Sequence, residues 1–388
     1  MRPLRPTRRR AAALLLALLL PALPAARGQA RPATPAKVDP EEARLADFSD
    51  ASHDWGKGVE GIIEGAYRSC FRTYIVAGRV LTLRMPFAQN NERSELAGES
   101  LEVLGGGKAD PAALWRSVDA LFESADFRAY VAALSDGRKK GISFDLQARK
   151  WTVVADRFFI ERMEAGDYPG LPNKPFVLSS GRGPTAPELY NYLYCVGRLG
   201  MDCSGFVWNA LRAVAKAGGL DLDRALGRAT GAPRRADAAL YVGTRFYDPR
   251  NKEVEEVRDE IRNLRPGDVI LFRSEDGEPL HSSIIQSIDL AAGRIRYLQS
   301  TDEAPYEERG VHESFILFDP AKPEAGLRDP SVAWTQRREA TFPGELLSAY
   351  PDDGERYRAV KGGGGTVVRI KALKKPIARI EASLAKKK

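Results

Sequence analysis

The chain has 388 residues but only three cysteines and three histidines. Cys70, Cys195 and Cys203 are too few for a disulfide framework of the kind that staples small exported scaffolds. A Cys70–Cys195 pair stays open at this point. His53, His281 and His312 are far apart and show no metal-ligand spacing, so neither a metal nor another cofactor is expected. Long apolar runs are also scarce. The one such stretch, Ala11 to Leu20, is too short to span a bilayer and is followed by Pro21 and Pro24. The N-terminal region shows no internal repeat.

That apolar run follows Arg2, Arg5, Arg8, Arg9 and Arg10 and precedes Gly28-Gln29-Ala30. A basic start, an apolar middle and small residues at a cleavage point read as a secretory signal peptide over residues 1–30. The expected location is therefore secreted, periplasmic or at the cell envelope. No cysteine follows the run, so no lipid anchor is expected. Removing six arginines and no acid lowers the formal charge from +7 to +1. The stretch from Glu355 to Lys388 holds eleven Lys/Arg and two acids, a net +9, which leaves the body between them at −8. The alkaline pI of about 9.2 is thus no argument for nucleic acid, and none is expected as a partner. The basic tail has two readings, an ordinary solvated charge run or a contact for an anionic envelope polymer.

Residues 31–41 are rich in Pro and Ala and read as a linker. An apolar face through Val59, Ile62, Ile63, Ala66, Cys70 and Tyr74 predicts a helix from Lys57 to Ala77. Val80, Leu81 and Leu83 suggest a strand. Asp110-Pro111 has the form of an N-cap followed by proline at the first helical position, opening a helix that continues to Gly137. Ile142, Phe144 and Leu146 suggest a strand, and an amphipathic helix follows around Phe158, Phe159 and Met163. Residues 42–170 thus form a mixed, mostly helical N-terminal region without an assigned role. Tyr168 to Pro187 reads as a boundary.

The most informative stretch comes next. Met201-Asp202-Cys203-Ser204-Gly205-Phe206-Val207-Trp208 places a cysteine at the mouth of a helical run whose Phe206, Val207, Leu211 and Val214 would face a core. A thiol in the first turn of a helix lies at its positive end, where the thiolate, the nucleophilic form, is favoured. Downstream stand Leu264-Arg265-Pro266-Gly267-Asp268-Val269-Ile270-Leu271-Phe272, then His281-Ser282-Ser283-Ile284-Ile285, then Tyr297-Leu298-Gln299-Ser300-Thr301. Asp202 to Phe206, with these later stretches in order, resembles the NlpC-type cell-wall peptidases, a papain-like family of cysteine hydrolases. The resemblance covers roughly residues 175 to 320 and is silent on both flanks.

The resemblance implies an α+β fold, with a papain-like core in which the nucleophile helix packs on a central antiparallel sheet. It implies Cys203 as nucleophile and His281 as base. Gln299 would be the polar residue orienting the imidazole, since it alternates onto one face with Ile295 and Tyr297. Asp302 and His312 compete with it for that role. The Cys203 amide and an upstream tyrosine would serve the oxyanion; Tyr194 is nearest to the family's spacing, with Tyr192 and Tyr190 as rivals. Asp202 and Ser204 have two readings, holding the substrate's amino end or capping the helix. The charged insertion from Leu220 to Arg262 lengthens the stretch between cysteine and histidine and reads as a surface loop. Residues 321–388 read as a C-terminal extension with a basic tail, in which Thr366 to Ala372 could add a late strand. The implied activity is hydrolysis of amide bonds in peptidoglycan peptides, with the bond from D-glutamate to the diamino acid as the family's usual target. An amidase or acyltransferase on the same scaffold is the first alternative, and a non-catalytic envelope-binding protein the second.

Overall fold

The computed structural model describes residues 54–88, 110–145, 148–154, 157–164, 176–301, 310–336 and 352–386. The signal peptide, the linker, His53 and Asp302 lie outside these residues. All described elements belong to one compact unit, Ser52–Lys388.

The chain enters with α1 (Val59–Arg68), which is shorter than the predicted 57–77 helix. The residues after it, Phe71-Arg72-Thr73-Tyr74-Ile75-Val76, are all aromatic or β-branched except Arg72 and form β1 (Phe71–Val76). Ala77 and Gly78 both take positive φ, 49° and 74°, and turn the chain into β2 (Arg79–Arg84). A two-residue turn with both φ values positive matches the right-handed twist of a hairpin, and register pairing of Val76 with Arg79 follows. The predicted helix from Asp110 to Gly137 is two helices, α2 (Pro111–Phe122) and α3 (Ala125–Leu134). Asp110 caps the first, accepting from Ala113 N at 2.9 Å. Ser124 interrupts the run because its hydroxyl caps the second, accepting from Phe127 N at 3.1 Å. A three-stranded sheet of order β4-β3-β5 joins β3 (Lys140–Asp145), β4 (Lys150–Val154) and β5 (Phe176–Ser179). Helix α4 (Arg157–Glu164) follows β4 in the chain, and α5 (Ala186–Tyr192) leads toward the nucleophile.

The centre is α6 (Cys203–Ala217) and a seven-stranded antiparallel sheet. Its strands are β6 (Val254–Val257), β7 (Val269–Arg273), β8 (Pro279–Asp289), β9 (Arg294–Thr301), β10 (Gly310–Leu317), β11 (Ala333–Trp334) and β12 (Thr366–Ile370), in the order β11-β10-β9-β8-β7-β12-β6. The architecture is α+β. Two corrections concern its edges. Residues 220–262 are not merely a loop, since they supply short helices and β6. The segment read as a C-terminal extension also supplies α7 (Asp353–Arg358), β12 and α8 (Lys374–Ala385). β12 lies inside the sheet, between β7 and β6. Arg369 on β12 fixes it there by a two-pronged ion pair with buried Asp268, 2.7 Å to each oxygen.

Alternation gives the sheet two faces. Val269, Leu271, Ile284, Leu298 and Val311 cluster with Phe206, Val207, Leu211 and Val214 of α6. Ile270, Phe272, Ile285, Tyr297 and Val367 form a second cluster with Tyr357 of α7 and Trp334. Each large apolar side chain so enclosed contributes on the order of 1.5–3 kcal/mol of transfer free energy. Helix α1 joins the first face through a buried ion pair. Arg296 Nη1 meets Glu64 at 2.5 Å, and its Nε meets Glu313 at 2.5 Å.

Candidate active site

Asp202 is the N-cap of α6, with extended backbone, and its Oδ1 accepts from Gly205 N at 2.6 Å. Its Oδ2 accepts from the Ser204 hydroxyl at 2.8 Å. Both residues are buried; Asp202 caps the helix, and the Ser204 hydroxyl bonds the capping carboxylate. Cys203 is therefore the first residue of a capped fifteen-residue helix, at the end where amide N–H groups point outward. The residue is buried, with 7% of its surface exposed.

The approach to Cys203 is held tightly. Met201 N donates to Pro86 O at 2.9 Å, and a Cβ on Gly200 would lie 2.5 Å from that same oxygen, so only glycine fits there. The Ser300 hydroxyl donates to Met201 O at 2.6 Å, tying this segment to β9 next to Gln299. A one-turn helix at Thr244–Tyr247, inside the 220–262 segment, makes the second tie. Tyr247 Oη donates to Ser204 O at 3.0 Å, and Thr244 Oγ1 donates to Pro279 O at 3.0 Å. The start of α6 and the start of β8, which carries His281, are thus fastened to the same turn. The Tyr247 hydroxyl is pushed well above its ordinary pKa by burial, then by the neighbouring Asp202 and Cys203, and stays a donor.

His281 and Gln299 are brought together. Gln299 Oε1 lies 2.6 Å from His281 Nε2. An amide oxygen only accepts, so Nε2 carries the proton and Nδ1 is the ring atom that can take one. Both side chains are buried on the sheet face of Phe272 and Tyr297, opposite the face on which α6 packs its apolar side chains, with the Phe272 and His281 rings 5.5 Å apart. The far end of Gln299 donates from Nε2 to Asp353 Oδ2 at 3.0 Å and to Ser314 Oγ at 3.2 Å. Ser314 in turn donates to Gln336 Oε1 at 2.9 Å.

The competing candidates are placed elsewhere. His312 is the register partner of Gln299 across β9 and β10, yet its ring nitrogens lie against Gly310 O at 2.8 Å and Gln336 Oε1 at 3.1 Å, one of them carrying the single proton of the neutral ring. Burial lowers its pKa to about 4. Asp302 lies outside the described residues. Of the tyrosines, Tyr190 Oη accepts from Arg84 N at 2.9 Å and Tyr192 Oη donates to Asp126 at 2.7 Å. Both hydroxyls serve the N-terminal elements, and Tyr194 is buried in a single π-turn over Leu193–Gly197. Cys70 and Cys195 are separate buried thiols, not a disulfide.

Sequence reading missed Tyr247, Ser300 and Asp353. Asp353 carries no local signal, since it lies in a proline- and charge-rich stretch outside the resemblance. Among the described residues, no cluster of His, Cys, Asp and Glu could hold a metal ion. No family model matches this chain, and neither a curated protein nor a solved structure matches it.

Proposed function

We propose that this protein is an exported cysteine hydrolase that cleaves amide bonds in peptidoglycan stem peptides, with the D-glutamyl–diamino acid bond as target. The observation that carries the reading is a cysteine at the first position of a capped helix, fastened at two points to the strands bearing a His281–Gln299 pair. A papain-like core is part of the same proposal. In it, Cys203 gives its proton to His281 Nδ1, and the thiolate attacks the substrate carbonyl. The resulting oxyanion is met by the Cys203 amide and the Tyr194 hydroxyl. Collapse expels the amine, which takes the proton from the imidazolium, and leaves a thioester on Cys203. Water, deprotonated by His281, attacks the thioester, releases the acid and restores the thiol. Gln299 accepts from Nε2–H throughout and keeps Nδ1 toward the chemistry.

The test is mass spectrometry of muropeptides after incubation with the mature protein. Products with a new D-glutamate carboxylate and a free diamino acid amine, absent with Cys203→Ala, are expected. Loss of an amine without peptide cleavage would identify an amidase, and transfer to an added amine would identify an acyltransferase. Unchanged muropeptides that nonetheless bind would favour the envelope-binding reading.

A further inference from the structure

The two ends of the Gln299 amide are nearly equal in size, so shape alone does not choose which one faces His281, and the two orientations have opposite consequences. With Oε1 toward the ring, Nε2 of His281 carries the proton and Nδ1 is the base. With the amide NH2 toward the ring, the imidazole takes its proton on Nδ1 and cannot deprotonate a thiol there. The far end of the amide decides between them. Ser314 cannot decide, because a hydroxyl rotates to give or to accept. Asp353, when ionised, can, because a carboxylate only accepts whereas a protonated carboxyl also donates.

We propose that Asp353 is a positioning residue for His281, acting through Gln299 as the fixed end of an Asp353–Gln299–His281 relay. Its side chain is fully buried, and Oδ2 accepts from both Gln299 Nε2 and Tyr297 Oη, each at 3.0 Å. A reversed amide would press two acceptors together at that point. The residue is held in place from its own side. Asp352 caps α7 by accepting from Glu355 N at 2.7 Å, Asp353 N donates to Gln336 O at 3.3 Å, and a Cβ on Gly354 would lie 2.7 Å from the Trp334 ring. The C-terminal segment thereby sets the tautomer of a histidine on β8. This inference rests on the reading of His281 as the base for Cys203.

The decisive variant is Asp353→Asn in the full mature chain. Asparagine keeps the volume and can still bond both donors, so a merely structural role survives it. It can also offer an NH2 group, so it no longer forbids the reversed amide. Expected in the wild type, labelled with 15N-histidine, is a single Nε2–H tautomer for His281. Expected in Asp353→Asn are both tautomers and alkylation of Cys203 by iodoacetamide slowed by about tenfold, with kcat lowered and KM unchanged if the muropeptide substrate is turned over. A folded Asp353→Asn with the wild-type tautomer and labelling rate overturns the proposal. If near-UV circular dichroism shows that this variant does not fold, the wild-type spectrum still decides, because an Nδ1–H tautomer overturns it without any variant. Tautomer and labelling need no substrate. If both change as expected while the wild type leaves muropeptides intact, the relay stands and the peptidoglycan reading fails. If the wild type cuts muropeptides and Asp353→Asn cuts them equally, the relay falls and the hydrolase reading stands.

Discussion

Three thiols in one chain offer an internal comparison. Burial pushes the Cys70 thiol up to about 12, so near neutral pH it is protonated and unreactive. Cys203 instead opens a capped helix whose first turn is tied to the start of β8, the strand that carries His281, through the Thr244–Tyr247 turn. Iodoacetamide at pH 7.5 should therefore modify Cys203 first, read by peptide mass spectrometry, and His281→Ala should slow it by about tenfold or more. Equal, slow labelling of all three cysteines would remove the nucleophile assignment. Gln299→Ala should lower turnover by on the order of ten- to a thousandfold, because orientation is a partial contribution, and should also lower stability by about 1–3 kcal/mol, because its buried partners lose their hydrogen bonds. His312 gives a separate prediction. Its folded pKa of about 4 lies below the unfolded value of about 6.5, so the unfolded chain binds more protons between them. Stability is then intact above pH 6.5 and is lost as pH falls toward 4, by roughly 3 kcal/mol from this group. Denaturant unfolding at several pH values should show this loss, reduced in a folded His312→Gln; an unchanged pH slope in that variant would refute it. Alternation along β9 made Gln299 legible, since a period of two puts it on a face with Ile295 and Tyr297. Nothing local could point to Asp353, because only the folded sheet brings α7 against that face.

At the scale of elements, the clearest misreading was the predicted helix 57–77. Cys70 and Tyr74 satisfy a helical spacing by position alone, but Phe71 to Val76 is a run that loses rotamer freedom in a helix and packs well in a strand. The strands at β7 to β10 were readable from their apolar runs and turns. β12 was readable as a strand, but its place between β7 and β6 was not, because that depends on a partner about a hundred residues away. The Arg369–Asp268 pair fixes this place. Removing one partner of a buried pair leaves the other charge without compensation, at about 3–5 kcal/mol. Arg369→Ala should lower stability by about that amount in denaturant unfolding, and a loss below about 1 kcal/mol would show that the pair does not anchor β12.

At the scale of the molecule, the resemblance marks out residues 175–320, yet the physical unit does not end there. Three supports of the site come from outside those limits. Pro86 holds the segment before Cys203, Asp353 holds Gln299, and β12 occupies the sheet between β7 and β6. A fourth is energetic. Arg296 has no exposed side-chain surface and is compensated by Glu64 of α1 as well as Glu313, with its guanidinium carbon 5.0 Å from the Tyr67 ring centre. Cutting the chain before residue 175 removes Glu64 and Tyr67 and leaves this cation with one partner, which costs several kcal/mol. Cutting it after 320 also bares the paired edges of β7 and β6 and uncovers Tyr297 and Phe272. Domains are stable by only about 5–15 kcal/mol in total, so these losses together exceed what a core of that size can absorb. The fragment 175–320 should therefore fail to unfold cooperatively and should be cut rapidly by a nonspecific protease, whereas residues 52–388 should show a single cooperative transition. Both should be made in the same host and compared by thermal circular dichroism, limited proteolysis and the rate of Cys203 alkylation. A soluble 175–320 fragment with a sharp transition and the labelling rate of the longer chain would show that the site is self-sufficient and that its outer supports are dispensable.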